Sequence, residues 1–421
     1  MFRRRLLLGL LSAGFIVSWT LVCLGGTTFP DRRAPDVRFP QSSDTLPKVA
    51  TDLLSIFRQY EPVPKKINVT HPAKTSAEPQ DGLAELVQID YEDVKNMRRI
   101  HQQLVESLPE YPPLFFGKGI VMVGGGQFLR IALHSLRMLR RSGTTLPVEL
   151  WMSDENEFSE EFCAEVSTLN VRCRIVAEYL GEEVVERYQL KSFAIFLSSF
   201  EEVLFLDADN FPVTSVDEIF TSTGVTIWPD YWASTTSPLL FDIVDSPQAF
   251  FRTCETGQLL WNKRTHFRTL ELALYYNFYG PDYFYPLLTQ FAAGQGDKET
   301  FQIACQVTNQ TYTFIDTPVQ TLGYHADEFH GTGMIQADPR NYTQGLFIHA
   351  HHPKFEAVSL LSKGAPVIHR SSSFWGSIAM EVAGYDIEEA AFQELAYVEC
   401  NSSLARPFIC GQLYEVLIPG L

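Results

Sequence analysis

The chain has 421 residues, 45% of them hydrophobic and 13% aromatic, with 50 acidic against 33 basic side chains and a formal net charge of −17. This is a globular composition, sufficient for one large α/β domain with appendages or for two domains. The acidic balance argues against a nucleic-acid partner, which needs clustered Lys and Arg to neutralise phosphates. It leaves room for a small anionic ligand, since a few local cations can dominate a cleft.

Arg3, Arg4 and Arg5 precede an uncharged run from Leu6 to Gly26. A run of about 20 such residues can cross a bilayer as a helix. It is long for the apolar core of a cleaved signal peptide, and Ala13 and Gly14 lie in its middle rather than at a cleavage site. The expected arrangement is a cytoplasmic tail over 1–5, a transmembrane signal-anchor over 6–26 and a lumenal remainder, by the positive-inside rule. Residues 27–80 are rich in Pro, Ser, Thr and charge and read as a stem, with Leu53 to Phe57 forming a short helix inside it.

Two features fit a lumenal body. Four N-x-[ST] sequons occur, at Asn68, Asn309, Asn341 and Asn401. Six of the seven cysteines lie beyond the expected span; their spacing favours Cys163 with Cys173 and Cys400 with Cys410.

The folded body is expected from 81 to 421, beginning with a helical pattern over about 83–107. Strands and helices then alternate. "GIVMVGGG" reads as a strand, followed by a helix ending at Gly143. "LPVELWMSD" and "VRCRIV" read as further strands, "EEFCAEVSTLN" and "LKSFAIFLSSF" as helices, and "EEVLFLDAD" as the fourth strand. Such alternation implies a Rossmann-like, mainly parallel sheet whose ligand site lies at the strands' carboxyl ends. Both Gly124-Gly125-Gly126 and Asp207-Ala208-Asp209 fall at such ends.

Asp207 and Asp209, two carboxylates at i and i+2 where a strand becomes a loop, can both face a hard divalent cation, which prefers oxygen ligands and shares them with phosphates. An aspartate pair after a strand also occurs by chance. Gly124 and Gly125 could present backbone N–H groups to a nucleotide, although neither G-x-G-x-x-G nor a P-loop is present and a tight turn explains them equally. In "HAHHPK", His349, His351 and His352 precede Lys354; an imidazole can complete a Mn²⁺ shell of carboxylates and a lysine can neutralise phosphate. Neither a nucleophilic-serine elbow nor H-E-x-x-H is present. The aromatic run at 275–286 suits sugar stacking or buried packing.

Taken together, "SLRMLRRSGTTLPVELW", "YQLKSFAIFLSSFEEVLFLDADNFPV", "IWPDYW", "ETGQLL", "GDKETF" and "HAHHPK" resemble the fungal Golgi α-mannosyltransferases of glycosyltransferase family 71, over roughly residues 115–360. The resemblance implies a GT-A fold, with a nucleotide-binding part at about 115–230 and an acceptor-binding part at about 231–421. It implies GDP-mannose as donor, Mn²⁺ as metal, a mannosylated glycan or glycoprotein acceptor, and a place in the Golgi membrane, with a mannosyltransferase complex as a partner. Asp207 and Asp209 would hold the metal with His349, while Lys191 and Lys354 would contact the donor. Asp297, Glu255 and Gln258 would lie around the transferred sugar and acceptor. The "WPDYW" and "ETGQ" blocks favour α-1,2 over α-1,3 linkage. A UDP-sugar transferase and a catalytically silent lectin or scaffold are the competing readings. Because this chain has "HAHHPK" where the family more often has histidine, any residue, asparagine, the ligand among the three histidines stays open.

Overall fold

The computed structural model describes Phe39 and residues 45–417, apart from 64–65, 79–84, 182, 186, 249–251, 293, 295, 326 and 363–373. The expected tail and anchor over 1–26 lie outside the described residues, among which no helix is long and apolar enough to cross a membrane.

The helix expected near Leu53 runs from Leu46 to Gln59 with Pro47 in its first turn. Its apolar residues recur at helical spacing, so Leu46, Ala50, Leu53, Leu54 and Phe57 fall on one face, and all are buried. The Phe57 ring meets Tyr275 edge-on at 5.4 Å, and the Tyr275 hydroxyl donates to the Tyr60 carbonyl at 2.5 Å. Further along, the Ala73 N–H donates to the Gln290 carbonyl and the Ala233 N–H to that of Ser76. The expected stem boundary at residue 80 is therefore corrected: the folded body already includes residues from Leu46 onward. A second correction falls on the helix expected from about 83. It runs only from Tyr91 to Ser107, because Val87–Gln88 (β2) pairs antiparallel with Asn68–Val69 (β1).

The central sheet has seven strands. β3 (Lys118–Val123), β4 (Val148–Met152), β5 (Val171–Ile175) and β6 (Glu202–Asp207) are the four read from sequence. All are parallel, in the spatial order β5-β4-β3-β6. The sheet continues through β9 (Arg252–Asn262) and β8 (Val225–Ala233) to β10 (Thr313–Phe314), with β9 the one antiparallel member. β3, β4 and β6 are mainly apolar runs because helices cover both faces, whereas edge strand β5 carries Arg172 and Arg174. The helices Leu129–Arg141 and Glu160–Ser167 pack on one side, against Ile120, Leu150 and Leu204. Gln189–Leu197 and Phe267–Phe278 pack on the other, against Val121, Val203 and Phe205.

A second, antiparallel sheet was not anticipated from sequence. It has the order β11 (Gln320–His325), β12 (Phe329–Asp338), β13 (Asn341–His349), β7 (Asn210–Pro212). β7 begins one residue after Asp209, so the acidic turn is the junction where the chain leaves one sheet and enters the other.

Both preferred disulfides are present, Cys163–Cys173 and Cys400–Cys410, while Cys254 and Cys305 are free and buried. The aromatic run at 275–286 is packing: Tyr275, Tyr276, Tyr283, Phe284 and Tyr285 are all buried.

Two core histidines give the fold a pH dependence. His134 lies against the Ala391 carbonyl at 3.0 Å, and His101 against the Tyr276 hydroxyl at 2.7 Å. Burial holds each imidazole down at about 4. Protons then bind the unfolded chain more readily than the folded one, so stability is complete above the ordinary pKa of 6.5 and is lost as pH falls towards 4. The loss should reach about 3 kcal/mol per histidine at pH 4. Denaturant unfolding of wild type and of His101→Gln/His134→Gln at pH 7 and pH 5 checks this: the double variant should lose less on acidification.

Candidate active site

Register assembles the site. Val123 of β3 lies opposite Asp207 of β6, so Gly124 follows directly beside the acidic turn. Across the junction, His349 of β13 lies opposite Asn210 of β7, and the Ala350 N–H donates to the Asp209 carbonyl at 3.0 Å. Oxygens of Asp207 and Asp209 and a ring nitrogen of His349 consequently lie within 4.8 Å of one another. His349 Nε2 is 3.2 Å from Asp209 Oδ1, and His349 Nδ1 is 3.6 Å from Glu255 Oε1.

Cations surround these carboxylates. Lys354 pairs with Asp209 Oδ2. Lys191, on the helix preceding β6, lies 3.4 Å from Asp207 and 3.2 Å from Asp297, and donates to the Thr256 carbonyl and hydroxyl at 2.8 and 2.9 Å. Burial opposes ionisation of Asp209, but His349 and Lys354 outweigh it and hold this carboxyl well below its usual range. Burial pushes the Asp207 and Glu255 carboxyls up, with Lys191 and His349 respectively pulling back. Burial likewise disfavours the His349 cation, yet the Asp209 carboxylate lifts its pKa to about 9.

Of the three histidines in "HAHHPK", His349 is the one turned to the acidic pair. His351 packs edge-on to the His349 ring with centroids 5.4 Å apart, and its Nδ1 lies 3.1 Å from the His349 carbonyl. His352 is exposed. Two hard carboxylate oxygens and one imidazole suit Mn²⁺ better than Ca²⁺, and His349 Nδ1 is a buried nitrogen without a hydrogen-bond partner.

Gln258 and Gly124 sit differently from expectation. The Gln258 side chain is wholly buried: its Oε1 accepts from Asn210 Nδ2 at 2.6 Å and its Nε2 donates to Gln336, which donates to the Pro229 carbonyl at 2.7 Å. Its expected contact with the donor is corrected to a positioning role, tying β7 and the acidic turn to β9 and β12. The Gly124 N–H is spent on the Trp151 carbonyl at 3.0 Å, so it is not offered to a ligand. A Cβ at Gly124 would lie 2.9 Å from that of Ala132. Gly125 faces Glu157.

Other contributors were not singled out from sequence. Thr256 anchors Lys191, and Lys298 pairs at 2.5 Å with buried Asp230 of the "WPDYW" block. Gly257 lies under the His349 ring: a Cβ there would meet the ring at 2.7 Å and Glu255 Oε1 at 3.0 Å. The signal available for each was membership of a block already recognised. Gly257→Ala should displace the imidazole from the acidic pair and weaken Mn²⁺ binding about 10- to 100-fold, read by titrating free Mn²⁺ against the protein.

Residues 117–253 and 248–338, just over half of the chain, match the protein family described as "Mannosyltransferase putative". Among curated proteins, the chain is similar to "Alpha-1,2-mannosyltransferase MNN24" of Candida albicans, with 35% identity over 59% of this chain and 43% of that one. It is similar to "Alpha-1,2-mannosyltransferase MNN2" of Saccharomyces cerevisiae, with 35% identity over 61% and 52%. It is also similar to "Alpha-1,2-mannosyltransferase MNN23" of Candida albicans, with 32% identity over 74% and 60%. The chain thus spans about half the length of the first two of these relatives. A likeness to the solved glycosyltransferase GlyE of Streptococcus pneumoniae TIGR4, covering 48% of this chain and 45% of that one at 14% identity, has a TM-score of 0.32, too low to bear on the fold.

Proposed function

Because the chain belongs to the mannosyltransferase family matched over residues 117–338, we propose that it moves mannose from GDP-mannose to a mannose-containing glycan, forming an α-1,2 linkage on an N-glycan or cell-wall mannan. The observation that carries this reading is the cluster of Asp207, Asp209 and His349 at the carboxyl end of β6, flanked by Lys191 and Lys354. The mainly parallel sheet with its acidic turn suits a GT-A architecture. The names of the relatives support the linkage.

The chemistry follows from charge. Breaking the anomeric C–O bond leaves negative charge on the departing diphosphate and an oxocarbenium-like sugar carbon. A divalent cation on Asp207, Asp209 and His349 would offset that charge. Lys354, half-buried at the rim, can turn from Asp209 to a phosphate oxygen. Lys191 is more tightly held; it fixes Asp207 and Asp297 and contributes its charge from below. Glu255, beside His349, and Asp297 are placed to orient the sugar and the acceptor hydroxyl. Donor and product are both α-linked in this reading, so configuration is retained.

The same reading places the protein in the Golgi membrane as a single-pass protein with a lumenal body. All four sequon asparagines are exposed, and two disulfides stand in the fold, as a secretory compartment would require.

The test is to incubate the purified full chain with Mn²⁺, a panel of GDP- and UDP-sugars and a set of mannosides, then to determine product linkage. Transfer from GDP-mannose to give α-1,2-mannosides is expected. Hydrolysis of UDP-sugars with GDP-mannose ignored would overturn the donor, and an α-1,3 product the linkage. Mannoside binding with no transfer from any donor would make the protein a lectin.

A further inference from the structure

A cavity of about 360 Å³ opens at the carboxyl ends of β4 and β5, lined by Asp154, Glu157, Val176, Val185, Arg187 and Leu190 among others. Its size is that of a small-molecule site, and its lining mixes apolar side chains with charged ones. In the order β5-β4-β3-β6 it lies two strands from Asp207, about 10 Å at ordinary strand spacing. Leu190 of its wall precedes Lys191, which holds Asp207. Between cavity and acidic turn runs the Gly124–Gly126 turn. A Cβ at Gly125 would stand 2.3 Å from Glu157 Oε2, and one at Gly126, whose φ is +53°, 3.4 Å from Oε1. The glycine backbone therefore packs directly against the Glu157 carboxylate on the side of the acidic pair, and the side left open is the one that lines the cavity. That carboxylate is fixed by the Ser153 N–H, which donates to Oε2 at 2.9 Å, and its Oε1 takes no hydrogen bond among the described residues.

We propose that this cavity seats the base of the nucleotide donor and that Glu157 selects guanine. The inference rests on the reading above that the site takes a nucleotide sugar. A carboxylate only accepts hydrogen bonds. Guanine presents N1–H and the N2 amino group side by side, so both can donate to one carboxylate, a charge-assisted bidentate pair. Uracil presents a single N3–H between two carbonyl oxygens, which the carboxylate repels. Adenine sets one amino group beside an acceptor nitrogen. With the base against Glu157, the ribose crosses the glycine turn and the diphosphate reaches the cluster of Asp207, Asp209 and His349.

Calorimetric titration of the full chain in Mn²⁺ with GDP, inosine diphosphate, UDP and pyrophosphate tests this. GDP should bind about 10- to 100-fold more tightly than inosine diphosphate, which lacks the N2 amino group, and UDP more weakly still. Glu157→Gln keeps an acceptor for Ser153 but sets an amide N–H₂ against the guanine donors. It should bring GDP down to the level of inosine diphosphate and leave pyrophosphate binding unchanged. Equal binding of GDP and inosine diphosphate by the wild type, which needs no variant to fold, overturns the inference alone. An undiminished GDP preference in Glu157→Gln does the same. Failure of every nucleotide and of pyrophosphate to bind overturns the nucleotide-sugar reading as well.

Discussion

Asp209→Asn should lower transfer by about 10³-fold or more in kcat/KM while the protein stays folded. Among the described residues, Asp209 is the one carboxylate that touches both His349 and Lys354. Its carboxyl is held ionised far below the usual range by those two cations, so it offers a full negative charge at any working pH. The amide keeps the shape and removes that charge, presenting N–H groups to a site that must attract a cation. The cost to the fold should be small, because His349 can give up its proton and Lys354, 42% exposed, can turn to solvent. Radiolabelled mannose transfer beside a thermal melt measures both effects. Undiminished transfer in a folded variant would remove Asp209 from the machinery.

Lys191→Met should be damaging in a second way. This ammonium is buried, and although burial disfavours its charge, Asp207 and Asp297 outweigh that and raise its pKa. Removing it strands buried Asp297 and half-buried Asp207; deleting one partner of a buried pair costs about 3–5 kcal/mol. Transfer should fall with it, since Asp207 loses the group that sets its position. The double variant Lys191→Met/Asp297→Asn removes one stranded charge and should regain part of the stability but not the activity. Urea unfolding of both variants separates these outcomes; equal stability of wild type and Lys191→Met would contradict the buried pairing.

The parallel half of the fold was legible because its strands are buried on both faces. Such strands must be short apolar runs, and each ends where the chain turns over the sheet edge, marked here by Gly124 or by Asp207. The disulfides were legible because a short helix packing back on the next strand brings Cys163 to Cys173. The second sheet was not. Its bridging strand is three residues long, with no period to detect, and its partner, β13, lies more than 100 residues away. Separations of 48 and 78 residues hid the role of Gln258, since nothing local shows that an amide will be enclosed by Asn210 and Gln336. At the site, residue types pointed to Asp207, Asp209, Lys191 and the histidine cluster; only the pairing of β13 with β7 picks His349 out of three. The helix from Leu46 was partly legible as a helix, but its polar surroundings disguised how firmly its apolar face is docked.

The pairing of Asp209 with Lys354 and protonated His349 makes the active centre a miniature ion exchanger. Asp207, Asp209 and His349 would hold a dication in place of charges already present, His349 giving up one proton and Lys354 turning free. Loading therefore adds little net charge to the interior, and unloading exposes no bare carboxylate there. A chelator should accordingly silence transfer reversibly while the protein stays folded, its melting temperature falling by no more than the binding free energy of the ion. A protein built this way would wait without a metal and resume when the ion returned.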